Sequence, residues 1–104
     1  MGTILPNSRT DEVAAEIGAR IKALRLAQNL RVADLAKKSG VSGRTITRLE
    51  NGTPVNLEHV IRVLRGLGRL QAFDSFLPPH TVSPIQLAKM KGRTRLRASG
   101  STDG

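Results

Sequence analysis

The sequence predicts an all-α fold, and three observations carry that expectation. Apolar residues recur at helical spacing along most of the chain, and Gly, Asn and Pro cut the pattern into short segments. No segment alternates convincingly at period two, so no strand is assigned. Only 38% of residues are apolar and the only aromatics are Phe73 and Phe76, which leaves a small core of Leu, Ile, Val and Ala, as short packed helices use.

From Thr10 to Gln28, the residues Val13, Ile17, Ile21 and Leu24 form the stripe of a helix with one buried face. Thr10 is its expected N-cap, Asp11 and Glu12 suit the dipole of the first turn, and Asn29 is its left-handed stop. A second helix is predicted over Val32 to Ser39, burying Leu35 and Ala36 and ending at Gly40, which accepts positive φ at little cost. Val41 then plugs the turn. Ser42 caps a third helix, Gly43 to Glu50, with Ile46 and Leu49 inward and Asn51-Gly52 as its close. Past Pro54, Asn56 caps a fourth through Leu57, Val60, Ile61 and Leu64, bracketed at its end by Gly66 and Gly68. A fifth, Arg69 to Leu77, aligns Leu70, Phe73 and Leu77 before Pro78-Pro79 stops it. Ser83-Pro84 opens a brief sixth, Ile85 to Lys91.

With 104 residues the chain has room for one small domain. The absence of cysteine removes disulfides, thiolate zinc sites and thiol nucleophiles together. There is no apolar run long enough for a membrane span, and the start, MGTILPNSRTDE, lacks the pattern of a secretory signal. A cytoplasmic protein without membrane contact is therefore expected. The net charge of +9 favours a polyanionic partner, since each neutralised phosphate releases condensed counterions. Residues 1–88 hold 12 Lys and Arg against 7 Asp and Glu, whereas residues 89–104 hold 5 against 1, so the C-terminal end is a basic tail. It finishes in Gly, Ser, Thr and Asp and is expected to be disordered beyond Gly92, with residues 1–9 similarly flexible. The organisation expected is thus a flexible start over 1–9, a folded domain over 10–77 and an extension over 78–104.

The strongest local signal is Val32 to Leu49, where two short helices meet across a tight glycine turn, a helix-turn-helix. Ala36 supplies a small residue where the helices touch, Gly40 the turn, and Val41, Ile46 and Leu49 the apolar anchors. On spacing alone, such a corner suits either a DNA reader or an ordinary antiparallel helix pair. Catalytic signatures are missing: His59 and His80 stand in unrelated contexts, and there is no HExxH, P-loop or Gly-rich nucleotide fingerprint. The chain is therefore read as a non-enzyme without metal or cofactor.

Leu24-Arg25, Leu30, Leu35-Ala36, Ser39 to Ser42, Thr45-Ile46, Arg48 to Gly52 and the Leu57 to Leu64 helix resemble the XRE, or Cro/C1-type, helix-turn-helix regulators. The likeness covers about Glu16 to Leu77. It implies a five-helix, lambda-repressor-like DNA-binding domain, followed here by a short C-terminal helix and the basic tail. The third helix would then be the recognition helix, with Gly43, Arg44, Thr47 and Arg48 facing base edges in the major groove. Arg44 and Arg48 lie on one helix face and each can fork onto guanine, worth about 1–3 kcal/mol of discrimination, or act as a phosphate clamp or a solvated cation. Ser42, Thr45, Asn51 and Asn56 match phosphate-contacting positions, where Ser42 and Asn51 also read as plain helix caps.

Arg25 and Glu50 match a pair that in the family forms a partly buried ion pair between the first helix and the end of the third. One departure stands out: where the family has a Ser or Thr cap followed by Gln at the start of the second helix, this chain has Arg31-Val32. Val32 offers no such polar contact, so either Arg31 is expected to substitute as a phosphate cation or the helix is expected to be shifted slightly. Related regulators act as symmetric dimers with recognition helices about 34 Å apart on a pseudo-palindromic operator. The candidates for the dimer surface are Leu67, Leu70, Phe73, Phe76 and Leu77, with Leu70 and Phe73 leaning toward core and Phe76 and Leu77 toward the interface.

The resemblance thus implies a homodimeric repressor of double-stranded DNA, acting on its own operon. The segment SPIQLAKMKG with the basic residues after it also resembles the extension of antitoxin-type XRE proteins encoded beside HipA-like kinases. That likeness implies an alternative, an antitoxin with a toxin kinase partner that represses its own promoter. The cations Lys89, Lys91, Arg93, Arg95 and Arg97 read as a docking arm, as extra phosphate contacts or as solvated charge.

Overall fold

The computed structural model describes residues 2–80, which contain five helices and no strand. They are α1 (Thr10–Ala27), α2 (Val32–Ser39), α3 (Gly43–Glu50), α4 (Leu57–Gly66) and α5 (Ala72–Phe76). Residues 1–72 form one compact unit and the chain from Phe73 a second. The expected sixth helix, the basic tail with its disorder, and the antitoxin-like segment lie outside the described residues.

α1 begins one residue differently from expectation. Arg9 is the N-cap, because the Glu12 carboxylate accepts the Arg9 backbone N–H at 2.9 Å, and Thr10 is already helical. At the other end Asn29 takes φ 58°, the left-handed stop that its sequence position suggested. The buried line along α1 is Gly18, Ile21 and Arg25, not the fully apolar stripe; Val13 and Leu24 are half-buried and Ile17 is 40% exposed. The reason is a close helix crossing. A Cβ built on Gly18 would overlap the Leu49 carbonyl oxygen and lie 2.5 Å from that of Glu50, so α1 reaches the end of α3 where it has no side chain. Residues 2–8, expected as a loose arm, fold back on α1. The Gly2 N–H donates to Glu16 Oε1 at 2.7 Å and Arg20 Nη2 donates to the Gly2 carbonyl at 3.2 Å.

α2, α3 and α4 occupy the spans that their caps predict. Gly40 turns left-handed at φ 73° with its N–H on the Ala36 carbonyl, and Asn56 Oδ1 accepts the His59 N–H at 3.0 Å. α2 packs on both α3 and α4, and α1 on α3. Their shared core is Ile21, Leu35, Val41, Ile46, Leu49, Val63 and Leu67, with Leu35, Ile46 and Val63 wholly buried. Each such side chain contributes about 1.5–3 kcal/mol relative to exposure.

Two expectations near the end of the unit are corrected. Leu67, a dimer-surface candidate, is 3% exposed and belongs to the core, whereas Leu70, assigned toward the core, is 37% exposed. α5 is also shorter than Arg69 to Leu77. Gly68 turns at φ 72° and the Arg69 N–H donates back to the Leu64 carbonyl at 2.8 Å, closing α4, so a helix restarts only after the turn at residues 70–71. Within the second unit, Phe73 is half-buried and its ring meets Phe76 edge-on at 6.2 Å, while Phe76 and Leu77 are exposed.

Candidate nucleic-acid interface

The surface of α3 follows from its anchoring. Ile46 and Leu49 are locked into the core, so the 100° step of the helix turns Arg44, Thr47 and Arg48 outward, where all three are exposed. Ser42 fixes the start of this helix. Its Oγ accepts the Thr45 N–H at 3.2 Å and donates to Thr45 Oγ1 at 3.0 Å. The two hydroxyls therefore sit together at the helix N-terminus, where backbone N–H groups favour an anion. Gly43 is half-buried, and a Cβ there would meet Val32 Cγ1 at 3.3 Å, so the first turns of α2 and α3 touch at this point. Asn51, exposed, ends α3, and Asn56, also exposed, caps α4 through its Oδ1.

Charge is distributed unevenly over these helices. Five ion pairs hold Arg9, Arg20, Arg25, Arg31 and Arg62 to Asp11, Glu16, Glu50, Asp34 and Glu58. Among the described residues Arg44, Arg48, Lys37, Lys38, Arg65, Arg69 and Lys22 have no such partner. Both arginines on the outward face of α3 are thus available for an external anion. Arg48 has only a long 3.5 Å contact from Nη2 to the Pro54 carbonyl, and Arg44 has none among the described residues.

Arg25 and Glu50 meet as the sequence suggested. Arg25 Nε and Nη2 donate to the two Glu50 carboxylate oxygens at 2.7 and 3.0 Å, and Nη1 donates to the Leu30 carbonyl at 2.8 Å. Both side chains are buried, and the carboxylate raises the guanidinium pKa above its ordinary value despite desolvation. Arg31, the expected phosphate cation, has an intramolecular partner in Asp34. Its Nε and Nη2 each lie 3.1 Å from an Asp34 oxygen, and its own backbone N–H donates to Asp34 Oδ2 at 2.8 Å. These bonds hold the Asp34 carboxyl down at about 2.

Sequence reasoning overlooked Gly18 and Asp34. A glycine inside a helix costs about 1 kcal/mol against alanine, which already signalled a close approach at Gly18. Asp34 lies three residues after Arg31, the offset of a capping box, and that spacing was the available clue.

No helix of the described residues is long and apolar enough to cross a membrane. No curated protein matches the chain. A helix-turn-helix family model matches residues 21–71, which run from the middle of α1 to the turn before α5 and include the whole α2–α3 corner. This kind of domain is a DNA-binding regulatory module rather than an enzyme family. Residues 21–71 therefore form a domain of the XRE-type helix-turn-helix family of sequence-specific, DNA-binding transcription regulators.

Proposed function

We propose that the protein is a homodimeric repressor that occludes a promoter, its own among them, by seating α3 of each copy in successive major grooves of a pseudo-palindromic operator. The observation that carries this reading is Arg44, exposed on the outward face of a helix whose other face is locked into the core, and without an ion-pair partner among the described residues. Arg44 and Arg48 read base edges, Thr47 offers a methyl and a hydroxyl between them, and Gly43 brings backbone rather than side chain to the groove. Ser42, Thr45, Asn51 and Asn56 contact phosphate, setting affinity without sequence preference. Phe76 and Leu77, exposed at 73% and 74%, supply apolar surface for the dimer.

Selection of bound sites from random duplexes, at stated salt, tests the reading. Wild type should return a two-fold symmetric site, and Arg44→Ala should lose discrimination at one symmetric pair of positions, about 1–3 kcal/mol each. A uniform loss on every sequence would make Arg44 a phosphate clamp. An antitoxin role, suggested by sequence beyond residue 80, predicts a stoichiometric companion on copurification with the products of adjacent genes.

A further inference from the structure

The start of α2 presents the cation best placed to replace the polar contact that Val32 lacks, yet that cation is already engaged. Arg31 is 82% exposed as a side chain, and Asp34 accepts two bonds from its guanidinium and one from its backbone N–H. We propose that Asp34 is an affinity-limiting residue for DNA, a built-in carboxylate competitor that occupies Arg31 and keeps the N-terminal end of α2 electrically neutral toward the phosphate backbone. This inference rests on the proposed docking of α3 in the major groove.

The geometry decides between help and hindrance. Asp34 uses Nε and one Nη2 proton, the side-on edge of the fork, and leaves a phosphate only the end-on edge formed by Nη1 and the second Nη2 proton. A phosphate approaching Arg31 therefore meets a carboxylate across the same guanidinium and is repelled by it. The carboxyl, held at about 2, stays ionised throughout the neutral range, so protonation does not release the competitor there. The effect is confined to phosphate contact, since Arg44 and Arg48 form no ion pair with Asp34.

Asp34→Asn tests this with the cap preserved, because an amide oxygen can still accept the Arg31 backbone N–H while the charge is gone. DNA binding of full-length wild type, Asp34→Asn, Arg31→Ala and the double variant is measured from 50 to 200 mM salt. The measurement uses the selected site and an unrelated duplex. In Asp34→Asn the affinity rises on both duplexes and the log–log salt slope steepens by about 0.9 per half-site, about 1.8 for the dimer, so the gain is about 12-fold larger at 50 mM than at 200 mM. Arg31→Ala costs little in wild type and removes the whole gain in the Asp34→Asn background. Unchanged slope and affinity in Asp34→Asn, or an equal cost of Arg31→Ala in both backgrounds, overturns the inference while leaving the DNA-reading proposal intact. Failure of wild type to prefer any site would instead sink that proposal. Asp34→Ala, which also removes the cap, separates charge from folding: a loss of thermal stability in Asp34→Ala beyond that of Asp34→Asn measures the cap alone.

Discussion

Placing a single methyl group on Gly18 should unfold this domain more readily than any surface change, although the substitution is one that helices ordinarily welcome. Gly→Ala in a helix interior gains about 1 kcal/mol of propensity. Against that, the new Cβ would lie 2.5 Å from the Glu50 carbonyl oxygen and 2.8 Å from its carbon, as well as against the Leu49 carbonyl. These are backbone atoms at a helix end and cannot rotate away. Restoring an ordinary contact requires α1 and α3 to separate by roughly 1 Å at this crossing, and overpacking of that kind costs about 1–3 kcal/mol. The Arg25–Glu50 fork, at 2.7 and 3.0 Å, spans the same junction, so the separation also stretches bonds to buried charges, each worth about 1.5–3 kcal/mol. The balance is a net loss of about 2–4 kcal/mol. For a domain of this size that lowers Tm by about 10–25 °C, readable by circular dichroism and by the urea midpoint. Gly66→Ala is the control, because there the Cβ would meet Ser39 Cβ at 3.1 Å and Leu35 Cδ1 and Ser39 Cα at 3.2 Å, contacts that ease with a shift of a few tenths of an ångström, and the expected change stays within about 1 kcal/mol. A Gly18→Ala protein as stable as wild type, or stabilised by its helix propensity, would refute the claim that this glycine sets the α1–α3 crossing.

The buried pair gives a second test: Arg25→Ala or Glu50→Ala alone should cost about 3–5 kcal/mol, because the survivor stays charged in the core, whereas Arg25→Met with Glu50→Leu should cost markedly less. Additive single-variant losses in the unfolding cycle would contradict it. Acid unfolding supplies a third. The folded-state pKa of Asp34 is depressed to about 2, so its contribution is full above about pH 4 and disappears as pH falls toward 2. The Tm difference between wild type and Asp34→Asn should therefore close across that window, and a difference that stays constant would show that the ion pair does not stabilise the fold.

The helix spans of α2, α3 and α4, and the stops at Asn29 and Gly40, were legible in the sequence because caps and positive-φ residues act within one turn of chain. The Arg25–Glu50 pair was legible for a different reason: its residues match a family pattern, and 25 positions of separation carry no local signal. The face of α3 was legible as well, since Ile46 and Leu49 fix its rotation and thereby the direction of Arg44, Thr47 and Arg48.

Tertiary structure decided the remainder. Which apolar residues are core depends on where helices cross: Ile17 has the right spacing yet is exposed, since the crossing runs through Gly18, and Leu67 is buried while Leu70, three residues on, is not. Likewise, whether a cation is available is a property of its neighbours rather than of its type. Arg31 and Arg44 read alike as basic surface residues, but a carboxylate three positions along occupies the first and none among the described residues reaches the second. Spacing along a chain reports what one element can do alone, and packing determines which of its side chains are left to meet a partner.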